Sequence, residues 1–103
     1  MKTALCAAAL LLGTAAAHAD VQALLKEGRC LQCHHPAQER IGPSWKTISA
    51  RYKGADAKSV LVNRMKEGSA GVYGTVPMGP NLHALQGWSD EDLQQIATYI
   101  LSF

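Results

Sequence analysis

The sequence predicts an all-α domain, and three features of the chain lead to this prediction. Apolar residues recur three and four positions apart in several segments, which is the spacing of one buried helix face. Residues that start and stop helices, such as serine before a segment and glycine after it, bracket those segments. No segment alternates apolar and polar residues in the way that a half-buried strand requires. The length of 103 residues suits a single domain.

The first 19 residues form a segment that we expect to be removed. Lys2 gives a positive start, an almost unbroken apolar run follows from Ala4 to Leu12, and the Ala-His-Ala tripeptide ending at Ala19 fits the cleavage pattern of a secretory signal peptide. The apolar run is too short for a membrane span, which needs about 20 apolar residues. We therefore predict a signal peptide at 1–19 and one mature domain at 20–103, exported to the periplasm with no stable membrane insertion.

Charge and cysteine content narrow the function of the mature domain. The formal net charge of +2 falls to +1 when Lys2 leaves, and the basic residues are scattered. A nucleic-acid-binding protein usually carries a concentrated basic patch, so we expect no nucleic-acid partner. Cys6 lies in the segment that is removed, so Cys30 and Cys33 are the cysteines of the mature chain. Two cysteines in an oxidising compartment ordinarily indicate a disulfide, but the residue after Cys33 indicates another role.

The first two predicted helices flank the cysteines. The face of the first helix leads into Cys30 and comprises Val21, Leu24, Leu25, Gly28 and Leu31. A turn at Ile41-Gly42-Pro43 follows, and Ser44 is suited to cap a short second helix. That helix places Trp45, Ile48 and Tyr52 on one side before Gly54-Ala55 ends it.

A third helix is predicted from Asp56 to Glu67, and Gly68 is well placed to end it in a left-handed conformation. Four residues of this helix lie near one face: Val60, Leu61, Arg64 and Met65. The segment from Gly68 to Gly87 is rich in glycine and contains Pro77 and Pro80. A loop of this length in a small domain is usually functional or disordered, and its apolar residues favour a function.

The last predicted helix begins after Ser89, whose hydroxyl is a suitable cap, and its first turn is acidic as the positive helix end favours. Its buried stripe comprises Leu93, Ile96, Ala97, Ile100 and Leu101. We expect Trp45 and Tyr99 to pack in the core. Trp88 fits either packing or an exposed docking surface.

The segment Cys30-Leu31-Gln32-Cys33-His34 has the form C-x-x-C-H, the attachment pattern of c-type haem. Its two thiols lie about one helical turn apart, so they can add to the two vinyl groups of one porphyrin. The histidine is then held under the iron as the proximal ligand. This predicts one covalently bound haem c, with thioether links from Cys30 and Cys33 and an iron ligand at His34.

Other interpretations of the two cysteines fit less well. A thioredoxin-like redox pair requires a strand, turn and helix of an α/β fold. A structural zinc site normally takes two separated ligand pairs, and the sequence offers no second pair. A simple disulfide leaves His34 without a role.

The second axial ligand of the iron has several candidates. His35 adjoins His34 and cannot reach the opposite haem face, while Met65 lies on the apolar side of a helix, where methionine usually packs. Met78 is favoured because Pro77 and Pro80 stiffen the backbone around it. His83 in the same loop is the main competitor, and an open or water-bound site is the third possibility.

These motifs resemble the small bacterial class I cytochromes c, in particular the monohaem cytochrome c-551/c-552 type. The resemblance covers nearly all of Asp20 to Phe103 and rests on five segments: Cys30–His34, Ile41–Pro43, Lys66–Ser69, Gly71–Gly74 and Val76–Asn81. It implies a cytochrome c fold of four to five helices around one covalently bound haem. It also implies His34 and Met78 as the axial ligands of the iron.

The resemblance implies further contacts around the haem. The Pro43 carbonyl would accept a hydrogen bond from the His34 ring, and Asn81 would approach the ligand sulfur. Arg64 and Tyr73 match positions that contact a haem propionate, although tryptophan is frequent where this chain has Tyr73. Gly79 also departs from relatives that have a second proline after the methionine. The stretch Leu82 to Trp88 is longer than in close relatives.

The function that the resemblance implies is one-electron transfer rather than catalysis. Histidine and methionine leave the iron no free position, and a thioether stabilises Fe(II), which raises the reduction potential. The implied partners are a quinol-oxidising complex as donor and an oxidase, nitrite reductase or peroxidase as acceptor, met by a monomer through small transient interfaces. Two alternatives stay open: a haem-based sensor or small-ligand binder, and an electron-entry subunit of a larger redox enzyme.

Overall fold

The fold is all-α in the computed structural model, which describes residues 20–81 and 87–103. Four α-helices and one short 3-10 turn make up its regular structure: α1 at Val21–Glu27, the turn at Cys30–Gln32, α2 at Trp45–Arg51, α3 at Ala57–Glu67 and α4 at Asp90–Ile100. These residues contain no strand, and the one β-type feature among them is an isolated bridge between Ser69 and Met78. The predicted fold class is confirmed, whereas the predicted signal peptide at 1–19 lies outside the described residues.

Side-chain caps fix where three of the helices begin. Ser44 Oγ accepts a hydrogen bond from the Thr47 amide at 3.1 Å, as the sequence predicted for α2. Ser89 Oγ accepts from the Asp92 amide at 3.1 Å, and the Asp92 carboxylate accepts from the Ser89 amide in return, which completes a capping box. Asp20 caps α1 in the same manner through the Gln22 amide.

The first helix ends earlier than predicted. Gly28 is its C-cap, and Arg29 then adopts a left-handed conformation with φ of 56°. Because this residue redirects the chain into the 3-10 turn, Leu31 does not continue the buried face of α1 and is 41% exposed. The prediction that Leu31 shares one face of the first helix with Leu24 and Leu25 was therefore wrong.

The core forms where α4 packs against the other three helices. Its buried apolar residues are Leu24, Leu25, Trp45, Ile48, Leu61, Val62, Leu93, Ile96, Ala97 and Ile100. Trp45 is buried as predicted, and Tyr99 packs against the edge of this cluster. The Ser49 hydroxyl lies 2.8 Å from the Phe103 carbonyl oxygen and so ties α2 to the end of the chain.

The helices of the described segments are all too short and polar to cross a membrane. They surround an opening between the cysteine turn, α3 and the segment after α3. The functional residues predicted from the sequence lie there.

Candidate functional site

A cavity of about 640 Å³ reaches from the surface to the core. Every site residue predicted from the sequence lines it: Cys30, Cys33, His34, Pro43, Arg64, Tyr73, Met78 and Asn81. Core residues from α2, α3 and α4, including Ile48, Leu61 and Ile96, contribute to its wall. Pockets of this size and apolar character hold ligands as large as cofactors.

The cysteine turn presents both thiols to the cavity. The Cys33 and His34 amides donate to the Cys30 carbonyl oxygen at 3.2 and 3.0 Å, so all three residues belong to one tight turn. Both thiols are free, and burial raises the pKa of Cys30. The turn therefore holds two thiols and one imidazole against a single apolar space.

The His34 ring is held in one tautomer. Its Nδ1 lies 2.6 Å from the Pro43 carbonyl oxygen, and a carbonyl can only accept, so Nδ1 carries the proton and Nε2 keeps its lone pair. Burial also lowers the pKa of His34, which favours the neutral ring. A neutral imidazole with its Nε2 lone pair unprotonated is the form that binds a metal.

Two neighbours fix the plane of that ring. Trp45 stacks on His34 with 4.7 Å between ring centroids and 23° between planes. On Gly42, a Cβ atom would lie 2.5 Å from His34 Cε1, so a side chain there would displace the imidazole. The contact between Gly42 and His34 was not predicted from the sequence, although the Gly-Pro pair directly before the cap at Ser44 was the available signal.

The segment after α3 carries Met78 to the cavity. Gly68 ends α3 with a positive φ of 83° as predicted, although its ψ of −179° is extended rather than left-handed helical. The backbones of Ser69 and Met78 then exchange two hydrogen bonds of 2.8 Å. A Cβ on Gly68 would lie 2.6 Å from the Met78 carbonyl oxygen, so this close pairing requires glycine. The Met78 side chain is left 37% exposed at the cavity.

The other candidates for the second axial ligand are differently placed. Met65 also lines the cavity, but it packs against the core cluster. His35 Nδ1 accepts hydrogen bonds from the amides of Ala37 and Gln38 at 3.0 and 2.9 Å, which directs that nitrogen into its own loop. His83 lies outside the described residues.

The two residues expected near a propionate both line the cavity. Arg64 projects from the last turn of α3, and Tyr73 lies with its ring 5.3 Å from the Arg51 guanidinium. Burial, together with the neighbouring Tyr52, raises the pKa of Tyr73 to about 12. Tyr73 is therefore a neutral hydrogen-bond donor at physiological pH.

The donor set fits a covalently attached haem. Two thiols, a neutral imidazole and a thioether surround an apolar cavity, and these are the groups that form thioether links and bind haem iron in c-type cytochromes. Within residues 20–81 and 87–103, no cluster of three His, Cys, Asp or Glu side chains is arranged to hold a metal ion directly. The same residues lack the strand that a thioredoxin-like pair needs.

Comparison with known proteins agrees with this chemistry. The family model "Cytochrome c" matches residues 18–103. The chain is 40% identical to cytochrome c-552 of Nitrosomonas europaea over 96 residues, which is 92% of this chain and 86% of that protein. It is 37% identical to cytochrome c-551 of Pseudomonas aeruginosa over 84 residues, 81% of this chain and 76% of that protein.

A solved structure resembles the fold as well. The crystal structure of wild-type Nitrosomonas europaea cytochrome c552 superposes with a TM-score of 0.69 at 36% identity, and the match covers 79% of this chain and 96% of that one. Sequence and fold thus point to the same set of relatives.

Proposed function

Because the chain belongs to the cytochrome c family, we propose that it is a periplasmic one-electron carrier that shuttles between respiratory complexes and terminal reductases or oxidases. As a member of this family it carries one covalently bound haem c and transfers electrons; it is not an enzyme. When bound, the haem supplies reversible Fe(III)/Fe(II) exchange. The observation that carries the proposal is that Cys30, Cys33, a neutral His34 and Met78 line one apolar cavity.

In this proposal, Cys30 and Cys33 hold the haem through thioether links, and His34 and Met78 bind the iron from its two faces. Both axial positions are then filled by the protein, so no position is left for a substrate. The hydrogen bond from His34 Nδ1 to Pro43 raises the basicity of the ring and fixes its orientation. A fixed imidazole keeps the iron site similar in both oxidation states, which lowers the barrier to electron transfer.

The rim of the cavity supports docking of a redox partner. Two apolar side chains that line the cavity are largely exposed: Ile41 by 68% and Val76 by 64%. Small apolar contacts suit a carrier that binds weakly and leaves quickly. We propose that a quinol-oxidising membrane complex supplies the electron and that an oxidase, nitrite reductase or peroxidase accepts it.

The spectrum of the purified holoprotein tests the proposal. We expect a mass equal to the mature chain plus one haem, a near-infrared band from methionine bound to Fe(III), and a positive midpoint potential. Reduced protein should react slowly with carbon monoxide, because Met78 must first leave the iron. A colourless exported protein, or a strongly negative potential, would contradict the proposal.

The variant Met78→Ala tests the axial ligand itself. Loss of the thioether should abolish the near-infrared band, lower the midpoint potential and allow rapid carbon monoxide binding. Met65→Leu is the matched control: leucine keeps an apolar side chain in the cavity wall and against the core, so the band should persist and carbon monoxide binding should stay slow. Retention of the band in Met78→Ala would assign the ligand to another residue.

A further inference from the structure

We propose that Trp88 is a positioning residue for the iron-ligand loop: its indole packs against Gly28, the residue that Asn81 also contacts, and so holds the end of that loop against the cysteine turn. The iron-ligand loop is here the segment 68–81. The inference rests on the proposed binding of Met78 to the iron. It assigns to Trp88 a role that the sequence left undecided.

Two side chains from a distant part of the chain meet the neighbouring Cys30 thiol at Gly28. A Cβ atom built there would lie 2.6 Å from Trp88 Cη2, 3.1 Å from Asn81 Nδ2 and 3.2 Å from Cys30 Sγ. The tip of the indole, the loop amide and the first haem-attachment thiol therefore share one small contact region. Trp88 also packs against the core cluster, which supports its ring.

The backbone of Gly28 shows that these contacts, not its conformation, require glycine. Its φ of −74° and ψ of −2° are helical values that any residue adopts. Alanine would ordinarily be the better residue at such angles, because glycine has more conformational freedom to lose. The absence of a side chain at this position therefore serves the close approach of Trp88 and Asn81.

Asn81 transmits this contact to the iron ligand. Its backbone amide donates to the Met65 carbonyl oxygen at 2.8 Å, and its side-chain Nδ2 donates to the Gly28 carbonyl oxygen at 3.2 Å. Asn81 thus joins the end of α3 to the end of α1, three residues after Met78. The indole of Trp88 lies against the same Gly28 and keeps the Asn81 amide from swinging away from it.

The backbone next to Met78 needs a restraint because the residue that follows it is glycine. Gly79 follows Met78 directly, and glycine leaves the local backbone more conformational freedom than any other residue would. A Cβ at Gly79 would meet no atom within 4 Å, so packing around that residue does not restrict it. The packing of Trp88 on Gly28, beside the hydrogen bond from Asn81 to Gly28, supplies the stiffness from outside the loop.

The test uses the holoprotein and the variants Gly28→Ala, Trp88→Phe and their combination, with Gly87→Ala as control. Phenylalanine lacks the outer ring that carries Cη2, so Trp88→Phe removes the contact with Gly28. Gly28→Ala places a methyl group in the space that the indole occupies.

We expect each single variant to speed carbon monoxide binding to the reduced protein about tenfold and to lose the near-infrared methionine band at a lower temperature. In the double variant the shorter ring makes room for the methyl group, so both readouts should return toward wild type. Gly87 has open space around it, and its variant should match wild type.

The outcomes separate the inference from the proposed function. A wild-type protein without the near-infrared band would refute Met78 ligation, and both would fall together. A wild-type band combined with single variants that bind carbon monoxide within about twofold of the wild-type rate would overturn the role of Trp88 alone. Strictly additive effects in the double variant would overturn it as well. So would a midpoint temperature of global unfolding, measured by circular dichroism, that falls in parallel with the temperature at which the band is lost.

Discussion

At the scale of single residues, the chemistry of His34 depends on groups that are not its sequence neighbours. The Pro43 carbonyl oxygen accepts a hydrogen bond from Nδ1, Trp45 stacks on the ring, and Gly42 allows the backbone to pass beside it. None of these groups binds the iron in our proposal. Together they set which nitrogen carries the proton and where the lone pair lies.

Arg29 is the clearest case of local strain. It is the one non-glycine residue with positive φ in the described part of the chain, and it directly precedes Cys30. A left-handed conformation costs an L-residue roughly 1–2 kcal/mol, and glycine escapes that cost.

We therefore expect Arg29→Gly to raise the free energy of unfolding by about 0.5–1 kcal/mol, after allowance for the greater entropy of unfolded glycine. Guanidinium unfolding of the holoprotein measures this. Arg29→Ala is the control, because alanine keeps the Cβ that causes the strain. A glycine variant no more stable than the alanine variant would contradict the explanation.

At the scale of helices, the caps of α2 and α4 place the elements that carry the site. The Ser44 cap begins α2 directly after Pro43 and so fixes Trp45 beside the His34 ring. The Ser89 cap begins α4, whose buried residues pack against α1, α2 and α3. Both caps were recognised in the sequence because a cap is a local pattern.

Ser89→Ala should lower the free energy of unfolding by about 1 kcal/mol, since it removes the acceptor for the Asp92 amide and half of the capping box. Chemical denaturation of the holoprotein measures the change. Ser59→Ala, on the exposed surface of α3, is the matched control and should be neutral or slightly stabilising. Equal effects of the two substitutions would argue against the cap.

Glu39 makes the start of α2 sensitive to acid. Its carboxylate accepts hydrogen bonds from the Thr47 hydroxyl and from the Ser44 hydroxyl and amide, which lowers the pKa of Glu39 below its ordinary value of 4.5. Because the folded state holds this carboxylate more acidic, its contribution to stability is complete above pH 4.5. It is lost as pH falls through the lower folded pKa.

Glu39→Gln should therefore make stability less dependent on pH below 4.5. Thr47→Val, which removes the main donor to this carboxylate, should have a smaller effect in the same direction. Thermal unfolding of the holoprotein across the acid range measures both. A wild-type pH dependence retained in Glu39→Gln would exclude Glu39 as its source.

At the scale of the whole molecule, the small apolar core leaves a large cavity between the helices and the segment after α3. Among the described residues, the buried cluster has ten apolar members, and the wall of the cavity includes several of them. Burial of roughly 400 Å² of apolar haem surface would contribute about 10 kcal/mol at 25 cal/mol per Å². That is comparable with the net stability of a typical domain, about 5–15 kcal/mol.

We therefore expect the double variant Cys30→Ala, Cys33→Ala to lack covalent haem and to be poorly folded. Circular dichroism of the exported protein should show much less helix than the holoprotein and no cooperative thermal transition. Native helix content in the haem-free variant would mean that the polypeptide core suffices by itself.

The sequence by itself determined the helical class, the caps at Ser44 and Ser89 and the cysteine motif, because each depends on residues within about one helical turn of one another. The axial role of Met78 stays a prediction from that motif and from the resemblance. Only the tertiary structure decided that Leu31 is exposed, that Gly28 and Gly42 make room for Trp88 and His34, and that Asn81 ties α3 to α1. Leu31 is exposed because the left-handed Arg29 redirects the chain. The other features arise from contacts between residues more than one helical turn apart, and side-chain packing at such contacts leaves no periodic pattern in the sequence.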